Sequence, residues 1–297
     1  MEGTPLTIYR IKEIWRYPVK SMQGEMLDRC ELTSGGVPLD RGWAVRDEKT
    51  QTIRGAKWIA GLMLCSARYI EGTDAGLVPH VEIALPDGGR VRSDDPGVND
   101  RLSRALDHSV TLWPLRPTDD EDHYRIKGLM TGSMDEEMSA MFALSLIPGQ
   151  PIPDLSKIPP ALLAEVSQFA SPRGTYFDLY PVHLLTGASL RHIQSLAPES
   201  VIDVRRFRSN FLIDDDSGDA DPVETAWLDR DARIGVAKLH IDIKTMRCIM
   251  TTREQPGLPR DGAVMRAMMR QTEQCLGVYA NVVQGGAVTV GDDFRLG

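Results

Sequence analysis

Near its start the chain reads Thr7-Ile8-Tyr9-Arg10-Ile11-Lys12-Glu13-Ile14-Trp15, and Tyr17-Pro18-Val19-Lys20-Ser21 follows one residue later. Apolar and charged residues alternate along the first stretch, which is the pattern of a β-strand with one buried face. The second stretch predicts a loop, because proline cannot continue the hydrogen bonding of a central strand. We therefore expect the chain to begin with a strand that ends in a basic loop.

Strand patterns dominate both ends of the chain. Short apolar runs bounded by turn residues fill the first hundred residues and return after residue 180, and Pro86-Asp87-Gly88-Gly89 is a strong turn signal. Single strands are predicted over 62–70 and 233–241. Helices are predicted over 95–107, capped by its first residue, and over 262–275. The pattern predicts a β-dominated α+β fold in two parts, the first of them barrel-like.

Residues 115–175 separate these two parts and differ from them in composition. The run Asp119-Asp120-Glu121-Asp122 opens the segment, and prolines 148, 151, 153, 159 and 160 follow. Two stretches without proline, 134–144 and 161–169, are predicted to be helical. We interpret the whole segment as a connector with two short helices.

The composition is typical of a folded globular protein. The chain has 297 residues, of which 42% are hydrophobic and 26% charged, which excludes a disordered chain or a fibrous repeat. Its net charge of −8 argues against a general nucleic-acid binder. The apolar runs are far shorter than the roughly 20 residues of a membrane span, and early charges argue against a signal peptide. We expect a cytoplasmic protein that binds neither nucleic acid nor membrane.

Two basic clusters stand out against the acidic background. Lys20-Ser21 lies at the end of the first predicted strand, and Arg205-Arg206-Phe207-Arg208-Ser209-Asn210 precedes another. Lysine supplies a mobile point charge and arginine a planar fork of donors, and with a hydroxyl and an amide these groups can bind a phosphate. The alternative that both clusters are solvated surface charges stays open at this point.

Of the four cysteines, Cys248 is the one whose sequence neighbours suggest a chemical role. The other three cysteines, Cys30, Cys65 and Cys275, are expected to be reduced structural thiols, since no CxxC pair occurs. Arg247 directly precedes Cys248, and a neighbouring cation favours the thiolate, which binds soft metals. On these residues alone, a buried strand cysteine that acts as a small hydrophobe is the favoured interpretation.

Several other kinds of site are not supported. The acidic run 214–221 fails the EF-hand pattern, because its fifth, sixth and twelfth positions hold Gly218, Asp219 and Thr225. The six histidines lack metal-ligand spacing. Phosphate-loop, dinucleotide and nucleophile-elbow fingerprints are absent, as is an iron–sulfur cysteine set. We therefore expect no flavin, NAD or iron–sulfur cluster in this chain.

Five motifs in order resemble one family. They are Tyr17-Pro18-Val19-Lys20-Ser21 with Leu39-Asp40-Arg41-Gly42-Trp43, Phe177-Asp178-Leu179-Tyr180-Pro181-Val182-His183-Leu184-Leu185-Thr186 with Ser189, Arg205 to Asn210, Arg247-Cys248-Ile249-Met250-Thr251-Thr252, and Leu276-Gly277-Val278-Tyr279-Ala280. Together they resemble the MOSC family, whose two-domain members include the mitochondrial amidoxime-reducing component and bacterial relatives. The resemblance implies a MOSC N-terminal β-barrel domain over 1–114, the connector, and a MOSC β-barrel domain with peripheral helices over 176–297.

The resemblance also implies a function and a site. It implies a molybdenum cofactor (molybdopterin) between the two domains, with Cys248 as the metal ligand. The cofactor-binding residues it implies are Lys20, Ser21, Arg41, Thr186, Ser189, Arg208 and Asn210. The expected enzyme is an oxidoreductase that removes oxygen from small N-hydroxylated or N-oxide substrates, with electrons from an external electron-transfer protein. Two positions depart from the family pattern: Ser209 replaces the usual proline, and Met246 replaces a small residue or proline beside Cys248.

Two other functions remain open from the sequence. The first is a sulfur-carrier or cofactor-binding module in which Cys248 holds a persulfide. The second is a sensing domain that has lost catalysis, which the intact set of Lys20, Arg41, Arg208 and Cys248 argues against.

Overall fold

The structure is a computed structural model, and it describes residues 8–297. The described residues form sixteen strands and six α-helices. The strands are β1 Tyr9–Arg16, β2 Glu25–Leu27, β3 Arg29–Leu32, β4 Trp43–Asp47, β5 Thr52–Arg54, β6 Ser66–Tyr69, β7 Val81–Ala84, β8 Arg90–Arg92, β9 Val110–Pro114, β10 Val182–Thr186, β11 Phe211–Asp214, β12 Arg230–Ile234, β13 Ala237–Met246, β14 Cys275–Gln284, β15 Gly286–Thr289 and β16 Asp293–Leu296. The helices are α1 Val98–Leu106, α2 Glu121–Tyr124, α3 Met134–Met141, α4 Pro160–Gln168, α5 Gly187–Leu196 and α6 Gly262–Gln271.

Seven strands close into a barrel in the order β11-β10-β14-β13-β12-β16-β1, and β1 pairs back onto β11. Neighbouring strands are antiparallel except for β10 and β11, which are parallel. Closure requires one face of every strand to point inward, and β13 shows the resulting alternation of buried and less buried residues. Ile11, Leu184, Phe211 and Val278 are among the side chains that fill the interior. The predicted β-dominated α+β fold is confirmed.

The first strand belongs to this barrel. Ile14 of β1 pairs with Phe211 of β11, and Tyr9 pairs with Phe294 of β16. Strand β3 likewise pairs with β15 near the end of the chain. The predicted boundaries at residues 114 and 175 stay a prediction, but the strand pairing crosses them. Thr7, where the first strand was expected to begin, lies outside the described residues.

A second unit follows β3 in the chain. It contains two three-stranded sheets, β5-β4-β9 and β6-β7-β8, with α1 packed against them. Its core includes Val45, Leu62, Ile83 and Leu102. Met250, from the loop after β13, is buried in the same core. A loop of the barrel therefore reaches into this N-terminal unit.

Three predictions of secondary structure were wrong in detail. Residues 62–70 are not one strand, because a 3₁₀ helix, Ala60–Leu64, precedes β6. Residues 233–241 form a hairpin, since Gly235 adopts a positive φ of 58° and turns the chain between β12 and β13. Helix α1 has Gly97 as its N-cap, and Asp95 instead accepts a hydrogen bond from the Arg92 amide.

The connector contains both predicted helices, α3 and α4, and also α2, which the sequence patterns did not predict. Tyr124 of α2 and Phe169 pack with Tyr176 in a small buried cluster. No helix among residues 8–297 combines the length and the apolar character needed to cross a bilayer.

Candidate functional site

Most predicted site residues come from loops at one rim of the barrel. The end of β1 lies beside the start of β11, so Lys20 and Arg208 meet at this rim. Cys248 follows β13, which ends beside the start of β14. Arg247 reaches from there to the rim and donates to the Phe207 carbonyl oxygen at 2.6 Å. Residues up to 228 positions apart in the sequence are thereby brought together.

Five basic side chains converge at this rim and are here called the cation cluster: Lys20, Arg41, Lys57, Arg208 and Arg247. The charge of Asp178 acts on every one of them and favours their protonated forms. Lys57 is contributed by the N-terminal unit, in the loop after β5. The cluster therefore lies where the N-terminal unit meets the barrel.

Three predicted cofactor residues have strained backbones. Ser21, Arg41 and Arg208 have φ values of 69°, 53° and 57°, in the left-handed region that residues with a Cβ rarely adopt. Strain of this kind costs energy and is found most often at functional sites. It also turns each loop sharply, so these three residues are oriented by the backbone as well as by their contacts.

Asp178 is the counter-charge of the two lysines. Its Oδ1 lies 2.9 Å from Lys20 Nζ and 3.6 Å from Lys57 Nζ. Burial acts to raise the pKa of Asp178, but the two lysines outweigh it and hold the pKa well below its usual range. Burial lowers the pKa of Lys20, whereas the charges of Asp178 and Cys248 overcome burial and raise the pKa of Lys57. The Asp178 side chain is 43% exposed and that of Lys20 only 9%, so Asp178 is open to solvent while Lys20 is not.

Tyr17 links the two arginines of the cluster that come from different loops. The Arg208 guanidinium carbon lies 4.1 Å from the centroid of the Tyr17 ring, and that of Arg41 lies 5.1 Å from it. The ring faces favour cations at these distances. Asp40 pairs with Arg41 and also accepts a hydrogen bond from the Tyr17 amide at 2.7 Å. The two guanidinium groups are therefore held side by side.

Asn210 takes part in this arrangement indirectly. Its Nδ2 donates to Asp40 at 3.0 Å, and its Oδ1 accepts from the His183 amide at 3.0 Å. Both ends of the amide are thus engaged with the protein. Asn210 fixes the loop that carries Arg208, and it does so through Asp40 and β10.

Several buried donors at this rim have no partner. Among residues 8–297, eight buried side-chain atoms lack a hydrogen bond, and Arg208 Nη2, Arg247 Nε and Arg253 Nε are three of them. Seven of the eight belong to the segments that carry Arg208 or Cys248, or to the adjacent Gln274. Buried donors are normally satisfied, so unpaired guanidinium donors indicate a place for an anionic group. The residues present therefore fit a phosphate-bearing cofactor.

Cys248 lies beside the cluster. It is partly buried, precedes a short 3₁₀ helix, Ile249–Thr252, and packs against the core of the N-terminal unit. Cys248 is close enough to Lys57 and Arg247 that its charge acts to raise their pKa values, and that of Cys275 likewise acts on Arg247. Burial raises the pKa of Cys30 to about 11, that of Cys65 to about 12 and that of Cys275 to about 11. A thiolate at position 248 would have cationic neighbours.

Thr186 and Ser189 are placed differently from the other predicted residues. Thr186 lies at the far end of β10, and its Oγ1 caps helix α5 by accepting from the Ser189 amide at 3.1 Å. Both hydroxyls donate to Glu224, which is fully buried. The structure gives these residues a capping and buried hydrogen-bonding role, and it does not bring them to the cation cluster.

The structure shows what surrounds the two residues that depart from the family pattern, Ser209 and Met246. Ser209 is fully buried, and its carbonyl oxygen accepts a hydrogen bond from the Tyr17 hydroxyl at 3.1 Å. Met246 is the last residue of β13 and pairs with Cys275.

Sequence reasoning did not identify Lys57 or assign roles to Asp178, Asp40 and Tyr17. A signal for Lys57 exists in Arg54-Gly55-Ala56-Lys57-Trp58, a basic stretch with a glycine after a strand. A Cβ at Gly55 would lie 2.6 Å from Ser21 Oγ, so the absence of a side chain lets this loop approach the Lys20 loop. Among residues 8–297 no group of three or more His, Cys, Asp or Glu side chains is arranged to hold a metal ion.

Comparison with known families identifies both units. The MOSC N-terminal beta barrel domain matches residues 8–78, and the MOSC domain matches residues 173–295. The chain belongs to the MOSC family as a two-domain member. MOSC domains are associated with binding of the molybdenum cofactor.

Solved structures show more distant likeness. The YuaD protein from Bacillus subtilis is 11% identical with a TM-score of 0.43, and the alignment covers 97% of this chain and 95% of that one. YiiM from Geobacillus stearothermophilus is 16% identical, and YiiM from Escherichia coli is 13% identical. For both, the TM-score is 0.30 and the alignment covers 40% of this chain and 54% of theirs. A search of curated proteins found no match.

Proposed function

We propose that the protein is a molybdenum-cofactor-dependent oxidoreductase that reduces N-hydroxylated or N-oxide compounds with electrons from a separate donor. The observation that carries this proposal is the position of Cys248 beside Lys57 and Arg247, at a site where Arg208, Arg247 and Arg253 each keep one buried guanidinium nitrogen without a partner. A thiolate is the kind of ligand that soft metals take, and unpaired guanidinium donors are suited to phosphate. Both halves of a metal–pterin cofactor therefore have matching groups here.

The chain's own residues divide into two sets in this proposal. The pterin phosphate is held by one set: Lys20, Ser21, Arg41 and Arg208. Asn210 fixes the loop of Arg208 through its hydrogen bond to Asp40, which pairs with Arg41. Cys248 holds the metal from the loop after β13. The bound cofactor supplies oxygen-atom transfer at a metal, which amino-acid side chains do not provide.

The overall reaction balances with an external donor. An N-hydroxylated substrate takes up two electrons and two protons, loses its N–O bond, and yields the reduced nitrogen compound and water. The pKa of Asp178 is held well below its usual range, so this carboxylate stays ionised and orients Lys20 and Lys57. The raised pKa of Lys57 keeps its ammonium charged beside Cys248. These groups set the charge of the site beside Cys248, and the protons come from solvent.

The test is made on protein expressed in a host that synthesises the cofactor. We expect about one molybdenum per chain by elemental analysis, and reduction of an N-hydroxylated test compound with dithionite. NADH or NADPH alone is expected to give no turnover. Metal-free protein that still reduces the compound would contradict the proposal.

A second function is a sulfur carrier with a persulfide on Cys248. The partly buried thiol and its cationic neighbours, Lys57 and Arg247, would stabilise a persulfide anion as well as a metal-bound thiolate. Cyanide-labile sulfur on Cys248 in protein without molybdenum would favour this function over the enzyme.

A further inference from the structure

Helices α5 and α6 form a groove of about 220 Å³ that is separate from the cation cluster. Leu196 and Ala197 from the end of α5, and Ala263 and Ala267 from α6, form its apolar surface. Arg266 and Arg270 line the same groove. The groove therefore combines small apolar side chains with two positive charges.

Neither arginine side chain has a polar partner within the described part of the chain. Within residues 8–297 neither forms an ion pair or a side-chain hydrogen bond, whereas Arg191 and Arg205 nearby pair with Asp214 and Asp203. Arg266 is half-buried and Arg270 exposed. In a chain with 42 acidic and 34 basic residues, two adjacent unpaired arginines form a local positive surface.

The groove and the Cys248 loop contact opposite faces of α6. Ala263, Arg266, Ala267 and Arg270 follow the spacing of one helix face. The other face, with Met265 and Met268, is buried in a core that also contains Ile249, the residue after Cys248. A helix is about 10–12 Å thick, so only this one helix separates the groove from the segment that starts at Cys248.

We propose that this groove is the docking site for an acidic electron-transfer protein. The inference rests on the proposed function, which requires a separate two-electron donor. An acidic partner complements Arg266 and Arg270, and the apolar centre offers the contact that a bound complex needs. Transient redox complexes bury little surface, so a small apolar contact flanked by two charges is enough for such a partner. Electrons would enter across α6, while substrate would approach from the side on which Asp178 is exposed to solvent.

The probe is a bacterial flavodoxin with its reductase, because flavodoxin is a small acidic redox protein. The test variant is Arg266→Glu/Arg270→Glu, and the matched control is Arg29→Glu/Arg233→Glu, which makes the same charge change at exposed positions of strands β3 and β12. We expect the test variant to raise the KM for reduced flavodoxin about tenfold or more at low salt, with the effect shrinking as salt screens the charges. Turnover with dithionite should be unchanged in both variants.

Binding provides a readout that does not depend on catalysis. The Kd of oxidised flavodoxin for the wild-type protein should rise steeply with salt, and the test variant should lose most of that dependence. Equal flavodoxin kinetics and binding in test and control variants would overturn the groove as docking site. Wild-type protein that turns over with dithionite but not with flavodoxin would overturn the acidic partner. Failure of dithionite itself would instead count against the proposed function.

Discussion

The two ends of strand β10 differ in charge and in how their polar groups are satisfied. At its start, the cation cluster surrounds Asp178, and Arg247 joins the Cys248 segment to this rim by donating to the Phe207 carbonyl oxygen. At its end, Thr186 faces a groove of about 180 Å³ that is also lined by Asp214, Asp215, Asp219 and Asp221. One barrel therefore presents a basic rim and an acidic rim.

The difference lies in hydrogen bonding more than in charge. At the acidic rim, Arg191 pairs with Asp214 at 2.8 Å, and the buried Glu224 accepts from two hydroxyls. At the basic rim, Arg208, Arg247 and Arg253 each keep a buried donor without a partner. Polar groups that satisfy one another stabilise the fold, whereas unsatisfied buried donors cost energy unless something binds them. This contrast is why we place the proposed function at the basic rim.

The strongest test of the contrast is removal of the thiol at the basic rim. Cys248→Ala should abolish reduction of N-hydroxylated compounds and remove or alter bound molybdenum, since the soft ligand is lost. Activity with dithionite and elemental analysis measure the two effects. Cys275→Ala, in β14 beside Met246, is the matched control and should keep both properties. Full activity in the Cys248→Ala protein would reject the proposed metal ligand.

The next test compares one arginine from each rim. Arg208→Ala should weaken cofactor retention by about 10- to 100-fold, because charged hydrogen bonds contribute roughly 1.5–3 kcal/mol. Arg208→Lys should lose less, since the charge is kept while the planar fork is not. Arg191→Ala at the acidic rim should leave retention unchanged. Molybdenum and pterin content are measured in each variant after extended dialysis. Equal losses in Arg208→Ala and Arg191→Ala would contradict the assignment of cofactor binding to the basic rim.

A third test asks whether Thr186 acts as the structure indicates or as the family resemblance implies. Thr186→Val removes a cap and one donor to the buried Glu224, so we expect the free energy of unfolding to fall by about 1–3 kcal/mol. Cofactor retention should stay unchanged. Urea unfolding and molybdenum content are measured on the same preparation, with Thr225→Val, an exposed threonine, as control. Loss of cofactor without loss of stability would restore Thr186 to the binding set.

The smallest expected effect concerns the support of the basic rim. His123 Nε2 lies 2.7 Å from the hydroxyl of Tyr176, whose carbonyl oxygen accepts from Lys20 at 2.7 Å. Burial lowers the pKa of His123 to about 4. The unfolded chain, with a histidine pKa near 6.5, therefore binds more protons between these values, and stability must fall as pH decreases through that window.

The loss attributable to His123 should be about 2 kcal/mol between pH 7 and pH 5. His123→Gln should remove that part of the pH dependence while keeping a polar group beside Tyr176. Urea unfolding at both pH values measures the slope. His192→Gln is the control at another histidine. Identical slopes in wild type and His123→Gln would show that His123 does not stay neutral in the folded protein.

Local patterns predicted much of the fold. Alternation in the first stretch predicted β1, and the turn Pro86-Asp87-Gly88-Gly89 correctly separates β7 from β8. Helices α3 and α4 were predicted from proline-free stretches. The hairpin at Gly235 was missed, because one glycine within an apolar run does not show whether the chain turns or continues.

The sequence by itself determined the family and the β-dominated fold class, because short motifs and periodicity are local properties. For the same reason it identified Lys20, Arg208 and Cys248 as candidate site residues. Only the tertiary structure decided that β1 closes a barrel whose other strands come from the second half of the chain. It decided as well that Lys57 belongs to the cation cluster and that Asp178 is its counter-charge. It also decided that Thr186 and Ser189 bond to Glu224 at the opposite rim. The physical reason is that strand register and barrel closure fix which strand ends meet, and those pairings join residues up to 285 positions apart, as Tyr9 and Phe294 are.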